Sequence, residues 1–257
     1  MSTPTTTKTP TTNIATSDAT SITVRDKSLV DDLIGKVTFT EMMWLVVLGT
    51  TPTPAQAAIA DACMVTLMEH GMTPSAIATR LIYGSSPDAM QGAIAAGLLG
   101  VGSRFVGTVE GCAHLLQRIV AAPEQSAQRA EADAIVREHK AIPGFGHDVH
   151  VPDDPRPPRL FAVARDHGLA GVHVAALETL SAALDAAKRR HITINATGAV
   201  AAVLADAGVP IEIMRGFALV ARCAGLVGHV REEQRDPSMR ALWHGAEAIV
   251  PYRGEDQ

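Results

Sequence analysis

From Val30 to Ile249 apolar residues recur three and four positions apart in long segments rich in Ala, Leu and Met, and the alternation of a half-buried strand is nearly absent. That period commits the chain to helices that bury one stripe each, which predicts an all-α fold. Punctuation supports it. Thr53-Pro54 reads as a cap followed by proline at the first helical position, and Gly71 ends that helix. Pro74 opens the next, and Ser86-Pro87-Asp88 starts one running to about Gly100, whose Ala and Gly positions suit close helix approach in an interior or a subunit interface. Further helices are expected over Pro123 to Lys140, Gly171 to Arg190, Ile211 to Glu233 and Pro237 to Ile249, joined by short loops. The linkers are too brief to mark a boundary, so 22–257 reads as one domain. The Thr/Ser-rich segment 1–21 is too poor in apolar residues to offset ordering entropy and is expected to be disordered.

Composition narrows the classes of function. A net charge of -5 with no polybasic run gives no electrostatic reason to expect nucleic acid or a membrane surface as partner. The longest apolar runs, Met42 to Leu48 and Ala93 to Val101, fall short of the ~20 residues of a spanning helix. The N-terminal segment lacks the apolar stretch of a secretory signal. Cys63, Cys112 and Cys223 sit in apolar stretches without pairing or metal-ligand spacing, which fits reduced thiols and a cytoplasmic protein. No His-x-x-x-His or Cys-x-x-Cys spacing marks a metal site, and Gly97 to Gly102 lacks the strand context of a dinucleotide fingerprint.

The segment Ala141-Ile-Pro-Gly-Phe-Gly-His147, with Arg156 nine residues beyond His147, concentrates chemistry. Pro143 fixes its own φ, while Gly144 and Gly146 admit backbone conformations closed to other residues, so the loop can bend sharply and expose N-H donors. An imidazole there can donate to a carbonyl or move a proton, and a guanidinium can grip a carboxylate with two parallel bonds.

This loop, with Asp154-Pro155-Arg156 downstream, resembles the signature of the citrate synthase superfamily. Ala221-Arg222-Cys-Ala-Gly225-Leu-Val-Gly-His229 through Gln234 resembles its C-terminal block, and Glu69-His70-Gly71 through Arg80 resembles the segment whose histidine contacts a keto-acid. Ala95 to Gly107 is similar to the short citryl-CoA lyase branch, which commonly carries phenylalanine where Phe105 stands. The similarity runs in order over roughly residues 22 to 240. It implies a helical, citrate synthase-like fold, a homodimer or higher oligomer, and carbon-carbon cleavage or formation beside a CoA thioester, with a CoA ester as substrate and no tightly bound cofactor. By this resemblance His147 hydrogen-bonds the keto-acid carbonyl, Arg156 and Arg222 clamp carboxylates, His70 contacts the same ligand, and Phe105 lines the substrate. Arg235 falls where the family supplies an arginine across the subunit interface. Pro143, Gly144, Phe145 and Gly146 would receive the CoA adenine, with no basic neighbour identified for its phosphate.

Two positions depart from the family. The enolising carboxylate belongs where this chain has Thr197, in Asn195-Ala-Thr197-Gly198, and a neutral hydroxyl cannot take an α-proton as a carboxylate does. Asp148, after His147, is either a relocated base or a solvated loop residue. A CoA- or carboxylate-binding paralogue without turnover, or a diverged hydrolase, decarboxylase or retro-aldolase in the same pocket, stays open beside the lyase.

Overall fold

The computed structural model describes residues 9–254 and divides into two compact units, 1–57 and 58–257. The division at residue 57 differs from the single domain expected from residue 22. In the first unit, β1 (Ala15–Ser17), β2 (Ile22–Val24) and β3 (Lys27–Ser28) form a small antiparallel sheet in that order. Residues 15–17 therefore form a paired strand inside the segment expected to be disordered, with Ala15 opposite Val24, while residues 1–8 of that segment lie outside the described residues. An exposed polar strand carries no apolar signature, but backbone pairing does not need one. The sheet leads to α1 (Phe39–Leu48), which opens with a reciprocal Thr38–Glu41 capping box and ends at Gly49 in the left-handed region. Val24, Leu33 and Leu45 form this unit's core, with Leu29, Val37, Met42 and Val46 packed around it.

The second unit is helical: most of α2 (Pro54–Met68), then α3 (Pro74–Ser85), α4 (Met90–Leu99), α5 (Thr108–Val120), α6 (Gln125–Glu138), α7 (Arg156–Asp166), α8 (Val172–Lys188), α9 (Ala196–Asp206), α10 (Met214–Arg235) and α11 (Met239–Ile249). No helix among the described residues is long and apolar enough to cross a membrane. The Ala/Gly surface of α4 faces inward, against α3 and α10. A Cβ on Gly97 would meet Leu226 at 2.7 Å and the Ser75 carbonyl at 2.8 Å, so a larger residue there would push the helices apart.

At the centre lies α9, in which Ala196 and every residue from Gly198 to Leu204 are buried against α5, α7 and α8. A helix apolar on all sides belongs in a core. Both its ends are tied down. Asn195 caps the N-terminus by accepting from the Thr197 and Gly198 amides. Asp206 at the C-terminus accepts from the amides of Gly171, His173 and Val174, which caps the start of α8 from another helix. Burial disfavours the charged form of Asp206, but His173 and these amides outweigh that and hold its carboxyl below the usual range.

The Pro143–Gly146 loop packs directly on the first turn of α9. Gly144 and Gly146 have φ of +89° and +78°. A Cβ on Gly144 would come within 2.7 Å of Cys112 Sγ and 2.8 Å of Gly198 Cα, whereas one on Gly146 would meet nothing within 4 Å. Gly146→Ala should therefore cost only the left-handed backbone penalty, roughly 1–2 kcal/mol. Gly144→Ala should add an overpacking cost of about 1–3 kcal/mol to that. Urea denaturation of the two variants measures the difference, and equal losses would show that the close approach of loop and helix is dispensable.

Candidate functional site

One cavity of about 770 Å³ collects most of the residues singled out by the sequence. His70, Phe105, Pro143, Gly144, Phe145, Gly146, His147, Asp148, Arg156, Thr197 and Arg222 all line it, with Arg104 beside Phe105. Its size suits part of a cofactor-sized ligand. Arg235 stands apart, exposed at the end of α10 and outside this lining.

The loop supplies shape more than donors, which corrects the expectation of exposed amides. Gly146 N donates to Thr193 O at 2.8 Å and Phe145 N to Ile142 O at 3.3 Å, while Asn195 returns its N to Gly144 O and its Nδ2 to Gly146 O. A bridge between Phe145 and Ile194 completes the seam. The amides that do meet a functional group follow the loop: Val149 N and His150 N both donate to His147 Nδ1 at 3.0 Å. That choice fixes the tautomer, because an Nδ1 accepting two bonds leaves the proton of the neutral ring on Nε2. Burial, then the charges of His150 and Arg156, lower the His147 pKa and favour this neutral form. Its Nε2 lies 3.3 Å from Arg156 Nη2. Two donors cannot bond each other, but at this spacing they can share one anionic or carbonyl oxygen.

Arg156 is held by a carboxylate that sequence reading left unassigned. Asp154, almost wholly buried, accepts from Arg156 Nε at 2.9 Å and Nη2 at 2.7 Å, from Arg156 N, and from Ala196 N at the start of α9. Burial works against ionised Asp154, yet the Arg156 bonds and the Ala196 amide keep its carboxyl below the usual range. The Asp-Pro-Arg spacing was the available signal, since a short acid two residues before an arginine at a helix start can bond both its amide and its guanidinium.

Arg222, in α10, is buried, and its Nη1 has no hydrogen-bond partner among the described residues. Glu69 Oε2 lies 3.7 Å away. Burial lowers the Arg222 pKa and Glu69 opposes it, but a guanidinium stays charged. An incompletely paired buried cation facing a cavity is a place for an anion. Glu69 itself was missed: its Oε1 accepts the His70 and Gly71 amides, and its Oε2 lies 3.1 Å from His229 Nε2. His229 Nδ1 accepts from Arg80 Nε at 2.9 Å, and Arg80 in turn pairs with Glu233 and Glu232. The histidine of the C-terminal motif thus acts as a strut beneath the site.

Thr197 donates to Asn195 Oδ1 at 2.7 Å and lies 2.9 Å from Thr108 Oγ1. Its hydroxyl proton is already committed to the cap of α9. Asp148 is exposed on the cavity rim.

Folding also gathers His70, His147 and His150, which sequence spacing did not foreshadow as a cluster. His70 Nε2 and His150 Nε2 are 3.1 Å apart, and ring centroids of His147 and His150 are 4.4 Å apart. A metal ion would need a free lone pair from each ring. His147 has its Nδ1 lone pair on two amides and its proton on Nε2, so the cluster is not a ready three-imidazole cage.

The sequence profile of the citrate synthase C-terminal domain matches residues 36–243. The chain is 29% identical over 189 residues to a putative citrate synthase 2 of Mycobacterium tuberculosis, covering 72% of this chain and 49% of that protein. It thus spans about half the length of the curated relatives it matches. Its fold superposes on citryl-CoA lyase from Hydrogenobacter thermophilus with a TM-score of 0.87 and 27% identity, covering 97% and 96% of the two chains. ATP citrate lyase from Methanosaeta concilii, a D541A mutant in complex with (3S)-citryl-CoA, superposes with a TM-score of 0.79 at 20% identity over 100% of this chain and 43% of that one.

Replacing Arg222 by Met should separate binding from folding. Loss of charge-assisted bonds worth about 1.5–3 kcal/mol should weaken citrate or oxaloacetate binding roughly ten- to a hundredfold in calorimetry. The melting temperature should hold or rise, because a desolvated cation is removed. A large fall in melting temperature with binding intact would reverse the assignment.

Proposed function

This chain belongs to the citrate synthase family, and on that premise we propose that it is a carbon-carbon lyase or aldolase interconverting a carboxylated 3-hydroxyacyl-CoA with an acyl-CoA and a 2-keto acid. The observation that carries the reading is the incompletely paired guanidinium of buried Arg222 in one cavity with His147 and Arg156. Two cations suit a substrate with more than one carboxylate. The Nε2 proton of His147 and the Nη2 of Arg156 are spaced to hold the oxygen that alternates between hydroxyl and carbonyl. The Pro143–Gly146 wall would receive the adenine of CoA, and Arg104 on the same cavity is the basic neighbour for its phosphate that sequence reading could not name. Arg235, outside its own chain's cavity lining, would serve the cavity of a second copy.

Thr197 favours a second reading for citryl-CoA itself. A hydroxyl bonded into a helix cap cannot exchange the α-proton, so the native chain would bind that ester and cleave it slowly, or cleave a different carboxylated ester.

Incubation with a panel of carboxylated 3-hydroxyacyl-CoA esters, followed by mass spectrometry, should release an acyl-CoA and a 2-keto acid from at least one. Tight binding without release from any member would assign a binding paralogue instead.

Thr197→Asp should raise citryl-CoA cleavage, by up to the roughly hundred- to ten-thousandfold that acid-base help is worth. Asp148→Asn, on the exposed rim, should change it little. The opposite pattern would make Asp148 the base.

A further inference from the structure

We propose that His70 and His150 form a two-imidazole seat for a divalent first-row transition ion such as Zn2+, which would staple the segment after α2 to the loop carrying His147. The seat stands on the two rings and does not depend on the reaction assigned to the cavity. Folding brings these rings together from positions 80 residues apart, with their Nε2 atoms 3.1 Å and their centroids 5.3 Å apart. An ion ~2.0–2.1 Å from each nitrogen at the tetrahedral angle puts the nitrogens about 3.4 Å apart and the ring centroids about 5.2 Å apart. The centroids already stand at that separation. Only the tilt of the rings has to change, so that the two lone pairs meet beside the line joining them. The backbones are fixed while the rings are not: the amide of His70 donates to Glu69 Oε1, and that of His150 donates to His147 Nδ1. His70 is exposed and His150 part-buried, both in segments between helices, which leaves room for the tilt and opens the seat directly to solvent.

Both lone pairs can be made available. Between themselves, one ring donates its Nε2 proton to the other. A neutral imidazole can carry that proton on either nitrogen, so a shift to Nδ1 frees the second lone pair with no net loss of a proton. His147 is left out of the shell. Its Nδ1 accepts the Val149 and His150 amides at 3.0 Å and its Nε2 stands 3.3 Å from Arg156 Nη2, so neither nitrogen turns a lone pair to the ion. Water or a carboxylate oxygen would fill the remaining positions.

Donor chemistry and charge set which ion binds and how firmly. Imidazole suits Cu2+, Ni2+ and Zn2+, whereas Mg2+ and Ca2+ require oxygen ligands. Arg156 and Arg222 oppose a cation at His70, and Asp154 is the carboxylate that favours one. With two protein ligands and that opposition, the ion should exchange freely instead of staying resident. Its effect falls on the loop. Cross-linking His70 to His150 holds the segment that presents His147 to the cavity, and an ion bound only by the folded chain raises its stability by mass action.

The test is titration of the untagged, chelator-treated full chain with Zn2+ at neutral pH, read by calorimetry and by thermal unfolding, with Mg2+ as the control ion. Wild type should bind one Zn2+ in the micromolar range and melt a few degrees higher, and Mg2+ should do neither. His70→Gln and His150→Gln should each lower the affinity by at least the roughly tenfold that loss of an outer-shell partner costs a metal site, and should abolish the melting shift. His147→Gln keeps an oxygen that can accept the loop amides and should bind Zn2+ within about threefold of wild type. Unfolding of each metal-free variant shows that it is folded, and should one of the pair fail to fold, the other carries the comparison. No saturable Zn2+ binding by wild type, or binding unchanged in His70→Gln and His150→Gln, would overturn the seat. A loss in His147→Gln as large as in the other two would overturn it in favour of a three-imidazole cage.

Discussion

The buried carboxylate of Asp154 ties together three segments far apart in sequence. It fixes the Arg156 guanidinium by two bonds, accepts the first amide of α9, and donates its own amide to Thr193 Oγ1 at 2.9 Å. Without it the head of α7, the turn before α9 and the loop after His147 would have no common anchor. A desolvated charge is costly unless every acceptor position is used, and here four donors converge on it. The functional geometry thus follows from a requirement of folding: the chain cannot bury Asp154 without aiming Arg156.

A second carboxylate, Glu69, does comparable work beside Arg222. It joins the backbone of His70 to the His229 strut and stands near Arg222 without forming a close ion pair with it. The cavity therefore presents one arginine held by two bonds from an acid and one only loosely countered. The first gives a fixed direction, and the second gives a net attraction for anions.

The motifs were legible because they are local. The Ile-Pro-Gly-Phe-Gly-His run, Arg156 and Arg222 line one cavity, and the helices over 125–138, 172–188 and 239–249 follow the periodicity closely. What escaped was non-local or unpatterned. α9 is apolar on every side and so shows no amphipathic period, and the exposed strand β1 carries no alternation to read. Glu69, Asp154 and His150 acquire roles only from partners brought in by the fold, such as the His70 ring 80 positions before His150. The contact of Gly144 with Gly198 explains after the fact why glycines stand at both places, but either alone reads as an ordinary turn or a weak helix residue.

The two amide bonds received by His147 make the loop a latch whose catch is a lone pair. Protonation of that ring would turn Nδ1 from acceptor to donor and release Val149 and His150 together. Acid should therefore do more than titrate a side chain: it should unfasten the segment on which the imidazole cluster is mounted. Burial, and then the charges of His150 and Arg156, oppose that proton, so the loop stays latched over a wider range of acidity than a bare histidine loop would.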